Sequence, residues 1–254
     1  MQDRYVGDIG DFGKFGLLRR ILGGNEFNNQ VQLGIVWCLF PDETHNQDGG
    51  HISYLSQGHM RLLDPILHDC LERMVATRNR RVSEIAKSEI FPPTTVFVDK
   101  PIKVTSANGE TPPPKERVTY RDAWIRDCFD ATEACDIVFF DPDNGIESPS
   151  VDKRHPKAGK YIFWGELSAF ARRGQSIVVY HHTNRRASVP KQIENLRPLF
   201  RERVSTTSAI VPLIFHRGSC RVFWLVLSDS LADPLQERIG EMMRSGWHHH
   251  FEFG

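Results

Sequence analysis

The chain carries no excess charge of either sign, since its 32 lysines and arginines equal its 32 aspartates and glutamates. A neutral chain lacks the basic field that sequence-independent coating of nucleic acid requires, though a local basic patch for RNA or DNA stays open. No apolar run approaches the length of a membrane-crossing helix, and Met1-Gln2-Asp3-Arg4 leads into no signal-peptide core. A cytoplasmic protein without membrane contact is the expectation. Cysteine is sparse: Cys38, Cys70, Cys128, Cys135 and Cys220 are an odd number with no C-x-x-C pair, which offers no zinc-finger spacing and suits reduced thiols. Internal repeats are absent. What remains is 254 residues, 40% hydrophobic and 25% charged, the composition of a globular protein. The expectation is one domain spanning residues 1–254 with a loop-rich insertion near 100–117, around Asn108-Gly109 and Pro112-Pro113-Pro114.

Apolar runs at 33–40, 95–98, 136–140 and 176–180 read as buried strands, and amphipathic stretches at 14–22, 59–76, 80–88, 119–131, 166–173 and 190–200 read as helices. Strands alternating with helices predict a largely parallel α/β sheet. The segments 209–215 and 221–227 around His216-Arg217-Gly218-Ser219 predict a C-terminal antiparallel hairpin. Strands 33–40, 136–140 and 176–180 are expected to be parallel neighbours whose following loops open on one edge, where open α/β sheets bind ligands.

Four segments concentrate chemistry there. Asp141-Pro142-Asp143-Asn144 ends the apolar run 137–140 on a tight turn; the plain structural alternative is an Asx-Pro turn joining a core strand to a surface loop. The opening Tyr5–Leu18 places a glycine every third residue from Gly7 to Gly16, with Asp11 and Lys14 at the start of a helix. Such spacing lets the backbone pass close to something or make a turn. After the first strand comes a run of ligand-type side chains, Asp42, Glu43, His45, Asp48 and His51. It reads as a cofactor loop, a polar turn, or a divalent-metal site in which Asp42, His45 and Asp48 are joined by Asp141, His181 or His182. His181-His182 follows a strand, so only one of the two faces a site easily. Arg185, Arg186 and Lys191 lie just beyond, where a phosphate can approach.

Asp141-Pro142 at a strand end resembles the tetrapeptide of class I S-adenosylmethionine-dependent amino-methyltransferases, which is Asp or Asn, Pro-Pro, then an aromatic. Here Asp143 and Asn144 replace the second proline and the aromatic. The Asp11-x-x-Lys14 opening resembles that of the bacterial large-subunit ribosomal RNA adenine-N6 methyltransferase. By order and position more than identity, the resemblance covers about half the chain. The chain is also similar to a bacterial family that opens Tyr-Val-Gly-Asp and carries Asp-Pro-Asp-Asn-Gly, which implies no activity of its own. The methyltransferase resemblance implies a Rossmann-like three-layer sandwich. It further implies S-adenosylmethionine held by Asp11, Lys14, Asp42, Glu43, His45 and Asp48, and a nucleobase amine oriented by Asp141, Pro142, Asp143 and Asn144. His181, His182 and Arg185 would meet the substrate. Two other readings stay open at this stage: a metal-dependent phosphoesterase or nuclease on Asp42, His45, Asp48 and Asp141, and a methyltransferase-like module that binds without turnover.

Overall fold

Three parallel strands end together at one edge of the main sheet. The structure, a computed structural model, describes residues 1–24, 31–43, 49–103, 110–204, 208–218 and 220–254. In chain order it contains α1 (Ile9–Ile21), β1 (Leu33–Val36), α2 (Gly58–Arg61), α3 (Pro65–Ala76), α4 (Val82–Lys87), β2 (Val96–Val98), α5 (Pro114–Ala131), β3 (Ile137–Phe140), β4 (Gly145–Ile146), β5 (Tyr161–Ile162) and α6 (Trp164–Arg172). It continues with β6 (Ser176–His182), α7 (Val189–Arg203), β7 (Ala209–Phe215), β8 (Arg221–Leu227), α8 (Ala232–Arg244) and β9 (Phe251–Phe253).

The main sheet has seven strands in the order β2-β1-β3-β6-β8-β7-β9. The first four are parallel, with Val36 level with Phe140 and Phe140 level with Val179. The expected parallel neighbours are therefore adjacent, and their following loops open on the same edge. From β1 the chain goes outward to β2, then returns to place β3 on the other side of β1. This reversal of winding opens a crevice beyond the carboxyl ends of β1 and β3. The antiparallel strand β8 lies between β6 and β7, and β9 closes the far edge against β7.

Alternation along the strands divides the apolar side chains between two layers. Ile35, Phe139 and Val178 face α1, α3 and α8, whereas Val36, Phe140 and Val179 face α5, α6 and α7. The fold is thus a three-layer α/β sandwich of Rossmann-like type.

Several boundaries differ from the sequence expectation, each for a local reason. Helix α1 starts a turn earlier than expected because Asp8, not Asp11, caps it, accepting from the Asp11 N–H at 2.9 Å. The expected helix over 59–76 breaks at Pro65, whose ring and missing N–H cannot continue α2; Asp64 restarts the chain as α3 by capping the Leu67 N–H. Helix α5 begins at Pro114, inside the segment read as loop, since proline is accommodated in a first helical turn. Residues 104–109 of that segment lie outside the described residues. The tail around His248-His249-His250, given no role above, leads into β9, and Trp247 and Phe251 are buried in the core.

The glycine periodicity acquires a packing cause. A methyl group on Gly10 would sit 2.9 Å from the Tyr180 hydroxyl, one on Gly13 would sit 2.5 Å from the Phe215 ring, and one on Gly16 would overlap Trp247. Residues three apart share a helix face. The glycine face of α1 therefore lets the helix lie directly on β6, β7 and the C-terminal aromatic cluster. Each glycine costs about 1 kcal/mol of helix propensity relative to alanine, which close packing offsets.

This assignment gives opposite signs for two glycine substitutions. Gly16→Ala overpacks against Trp247 and is expected to destabilise by about 1–3 kcal/mol. Gly240→Ala on α8 meets only the flexible end of Arg244 and is expected to stabilise by up to about 1 kcal/mol. Urea unfolding of both variants checks this; a gain from Gly16→Ala contradicts the packing account.

Candidate functional site

Helix α1 brings Asp11 and Lys14 to the end of β3. The Lys14 ammonium lies 2.6 Å from Asp11 and 2.7 Å from Asp141, and all three side chains are buried. Burial works against the Lys14 charge, yet Asp11 and Asp141 outweigh it and hold the ammonium well above the usual lysine range. Asp8 is also close enough to be felt, so three carboxylates share one ammonium. Burial first, and then repulsion from Asp8 and Asp141, push Asp11 up to about 7 despite Lys14. Burial raises Asp8 likewise. Lys14 also lies over the Tyr180 ring, 4.9 Å from its centre.

The Asp-Pro turn is pinned from several directions. The Met1 ammonium is 2.8 Å from both the Asp141 carbonyl and the Asp143 carboxylate. Asp143 also accepts from Gln2 at 2.7 Å, and Lys160 stands 3.6 Å away. The ammonium, the amide and Lys160 outweigh the burial of Asp143 and hold its carboxyl below the usual range. Lys160 meets Glu43 at 2.5 Å, joining the loop after β1 to the same network.

A cavity of about 440 Å³ opens above this floor. Its walls come from the opening segment (Tyr5, Asp8, Lys14), the loop after β1 (Glu43), the turn after β3 (Asp143, Asn144), the end of β6 (Tyr180, His182) and the β7–β8 hairpin (Arg217, Arg221). Strand alternation decides between the two histidines. His182 lines the cavity, whereas His181 turns under the β3–β4 connection and accepts the Ile146 N–H at 3.2 Å. Burial and then Arg221 bring His181 down to about 4. The same two causes, with His181 added, hold His182 well below the usual histidine range, so it is neutral at physiological pH.

Of the residues expected at the site, Lys14, Glu43, Asp143, Asn144 and His182 meet at this cavity. Asp11, Asp141 and Pro142 lie buried behind it. Asp42 is exposed, accepting from the Arg4 N–H at 3.3 Å, and Arg185 is exposed away from the cavity. His45 and Asp48 fall outside the described residues. Lys14 is not a solvated side chain but is buried between two carboxylates. Glu166 accepts the Phe163 N–H at the start of α6 and forms a buried pair with Arg121 at 2.6 Å.

Sequence reasoning missed Tyr5, Tyr180, Arg217 and Arg221. Tyr5 opens the glycine-rich segment and Tyr180 ends an apolar strand, and neither position by itself signals a cavity wall. The arginines sit on a hairpin whose antiparallel insertion beside β6 carries them to the parallel edge, a placement no local pattern announces. Among the described residues, the one group of side chains close enough to share a metal is His68, Asp69 and Glu72 on α3, and Asp69 there is engaged by Arg61 at 2.6 Å. Among the described residues no helix is long and apolar enough to cross a membrane. No family model, curated protein or solved structure matches the chain.

Two outcomes follow from the buried cluster. Lys14→Met leaves Asp11 and Asp141 buried without their cation and is expected to destabilise by about 3–5 kcal/mol, measured by urea unfolding. The raised Asp11 means that the native state holds its proton after the unfolded chain, with an ordinary carboxyl near 3.8, has released it. Between about pH 4 and 7 this group therefore makes stability fall as pH rises, by up to about 1.4 kcal/mol per pH unit. In Asp11→Asn that slope disappears. Wild type should lose ground against the variant from pH 5 to 7, and parallel curves would remove Asp11 as the titrating group.

Proposed function

We propose that the cavity binds an S-adenosylmethionine-type methyl donor beside an amine-bearing nucleobase, and that the chain methylates that amine. The observation that carries this reading is convergence. Four segments that are far apart in sequence, each with site-type residues, form the walls of one cavity at the point where the sheet reverses its winding. About 440 Å³ falls within the ~300–1,000 Å³ of ordinary small-molecule sites.

The residues present fit such a donor. Asp8 and Glu43 offer carboxylates to ribose hydroxyls or to an α-ammonium, and Lys14 stands beside them. When bound, the donor supplies an electrophilic methyl group on a sulfonium. The chain's own residues do the rest by orientation. Asn144, on the cavity wall, presents an amide oxygen that can accept from the substrate amine. This moves the acceptor role away from Asp141, whose carboxylate holds Lys14 and whose carbonyl holds the Met1 ammonium. Neutral His182 has a lone pair for the proton that the amine gives up. Tyr5 supplies an aromatic ring on the wall, a counterpart to the one missing from the tetrapeptide.

A second reading, binding without turnover, draws on the same engagement of Asp141, because its Oδ2 holds Lys14 and its carbonyl holds the Met1 ammonium. The metal-dependent reading gains no support, since the Lys14 ammonium occupies the cation position at Asp141.

The test is thermal unfolding with S-adenosylhomocysteine, followed by transfer of labelled methyl from S-adenosylmethionine to RNA and DNA. A raised midpoint with transfer is expected. His182→Gln should then slow transfer by about 10²–10⁴-fold at unchanged stability. A raised midpoint without transfer to either nucleic acid selects the binding module. No shift with either donor or product refutes the methyl-donor reading.

A further inference from the structure

A second cavity, about 610 Å³ in volume, adjoins the first, and Arg217 belongs to the walls of both. The second cavity lies between the end of α1, the α2–α3 connection and the segment before β9. Arg20, His59, Leu62, Trp247 and His249 are among its lining residues, and no lining residue is a carboxylate. Arg20, Arg217 and Arg221 form no ion pair among the described residues; their polar contacts are the Leu63 carbonyl, the His250 ring and the Cys220 carbonyl. In a chain of zero net charge, three guanidinium groups without carboxylate partners among the described residues form a local cationic track along two joined cavities.

The track is built rather than incidental. Arg217 donates to His250 Nδ1 at 2.7 Å. His250 is itself buried, and its burial, with Arg217 beside it, brings it down to about 4, so the ring stays a neutral acceptor and keeps Arg217 at the boundary between the cavities. Two buried donors have no acceptor among the described residues: Arg221 Nε at the first cavity and the Trp247 indole N–H at the second. The apolar part of the second cavity includes Leu62, which is 81% exposed.

We infer that the two cavities together bind a single-stranded polynucleotide, with the target base in the first cavity and an adjacent nucleotide in the second. Arg217 meets the phosphate between them, Arg20 meets the next phosphate, and Leu62 offers an apolar surface to the neighbouring base. Guanidinium groups match phosphate oxygens, and a cationic groove that follows the backbone is one of the two elements by which proteins hold unstacked strands. A duplex would keep its bases stacked out of both cavities. The inference rests on the nucleobase reading above and adds the form of the substrate.

The experiment measures binding of a labelled single-stranded oligonucleotide of about eight residues, in ribose and deoxyribose forms, by fluorescence anisotropy. The same-sequence duplex and adenosine and cytidine 5′-monophosphates serve as competitors. The single strand should bind at least about tenfold tighter than either mononucleotide. Leu62→Glu and Arg20→Gln should each weaken the strand by about tenfold and leave mononucleotide affinity unchanged, with Arg20→Gln lowering the salt slope by about 0.7. Leu62→Glu is the safer variant for folding, because that side chain is exposed. Mononucleotide binding with no gain for the strand, no effect of either variant, or equal binding of the duplex overturns this inference alone. No binding by strand or mononucleotide overturns both it and the nucleobase reading. The ribose and deoxyribose arms show which nucleic acid the track prefers.

Discussion

The Lys14 ammonium, sealed between Asp11 and Asp141, is the contact on which the rest of the site depends. It joins the first helix to the end of the central strand, elements 127 residues apart in the chain. A buried ion pair of this kind is weak as a net source of stability but expensive to break, because removing either sign leaves the other uncompensated. Its main consequence is positional. With Asp141 spent on Lys14, the turn after β3 can present only Asp143 and Asn144 upward, and Asp143 is in turn claimed by Gln2 and Lys160. What faces the cavity is therefore set by what the floor has already used.

The depth at which α1 sits follows from a second constraint. A helix with side chains at residues 10, 13 and 16 would be held away from β6 and the C-terminal aromatics. Glycine at those positions lets Phe215 and Trp247 approach the helix backbone. Phe12 stacks on Trp247 at 5.2 Å between ring centres, so the same helix that delivers Lys14 to the sheet edge is anchored by the tail of the chain. The polar site and the apolar cluster are two faces of one packing arrangement, and Arg217, tied to the tail through His250, links the first cavity to the second one.

Much of the architecture was legible in the chain. The apolar runs ending at Phe140 and near Tyr180, and the paired apolar segments around the hairpin, carry period and turn signals strong enough to predict a parallel α/β core with an antiparallel addition. Asp141 to Asn144 marked the carboxyl end of β3, because an apolar run that stops in Asp-Pro ends a strand on a turn. Boundaries were less legible wherever a short-range competitor acted: Asp8 against Asp11 for the cap of α1, Pro65 against an otherwise continuous apolar face, and Pro114 at the first turn of α5.

The main strand and helix segments, the parallel grouping of β1, β3 and β6, and the antiparallel β7–β8 hairpin were legible in patterns only a few residues long, since hydrophobic period and turn chemistry are local properties; the insertion of β8 beside β6 and the addition of β9 were not. Only the tertiary structure decided which polar groups were consumed and which stayed available. Whether Asp141 or Asn144 faces the cavity depends on Lys14, which arrives from a distant helix. Whether His181 or His182 does depends on the β3–β4 connection, where the Ile146 N–H takes His181. That Arg20, Arg217 and Arg221 have no carboxylate partner among the described residues of a chain of balanced charge is a matter of spatial distribution. Composition counts charges, but only folding assigns their neighbours.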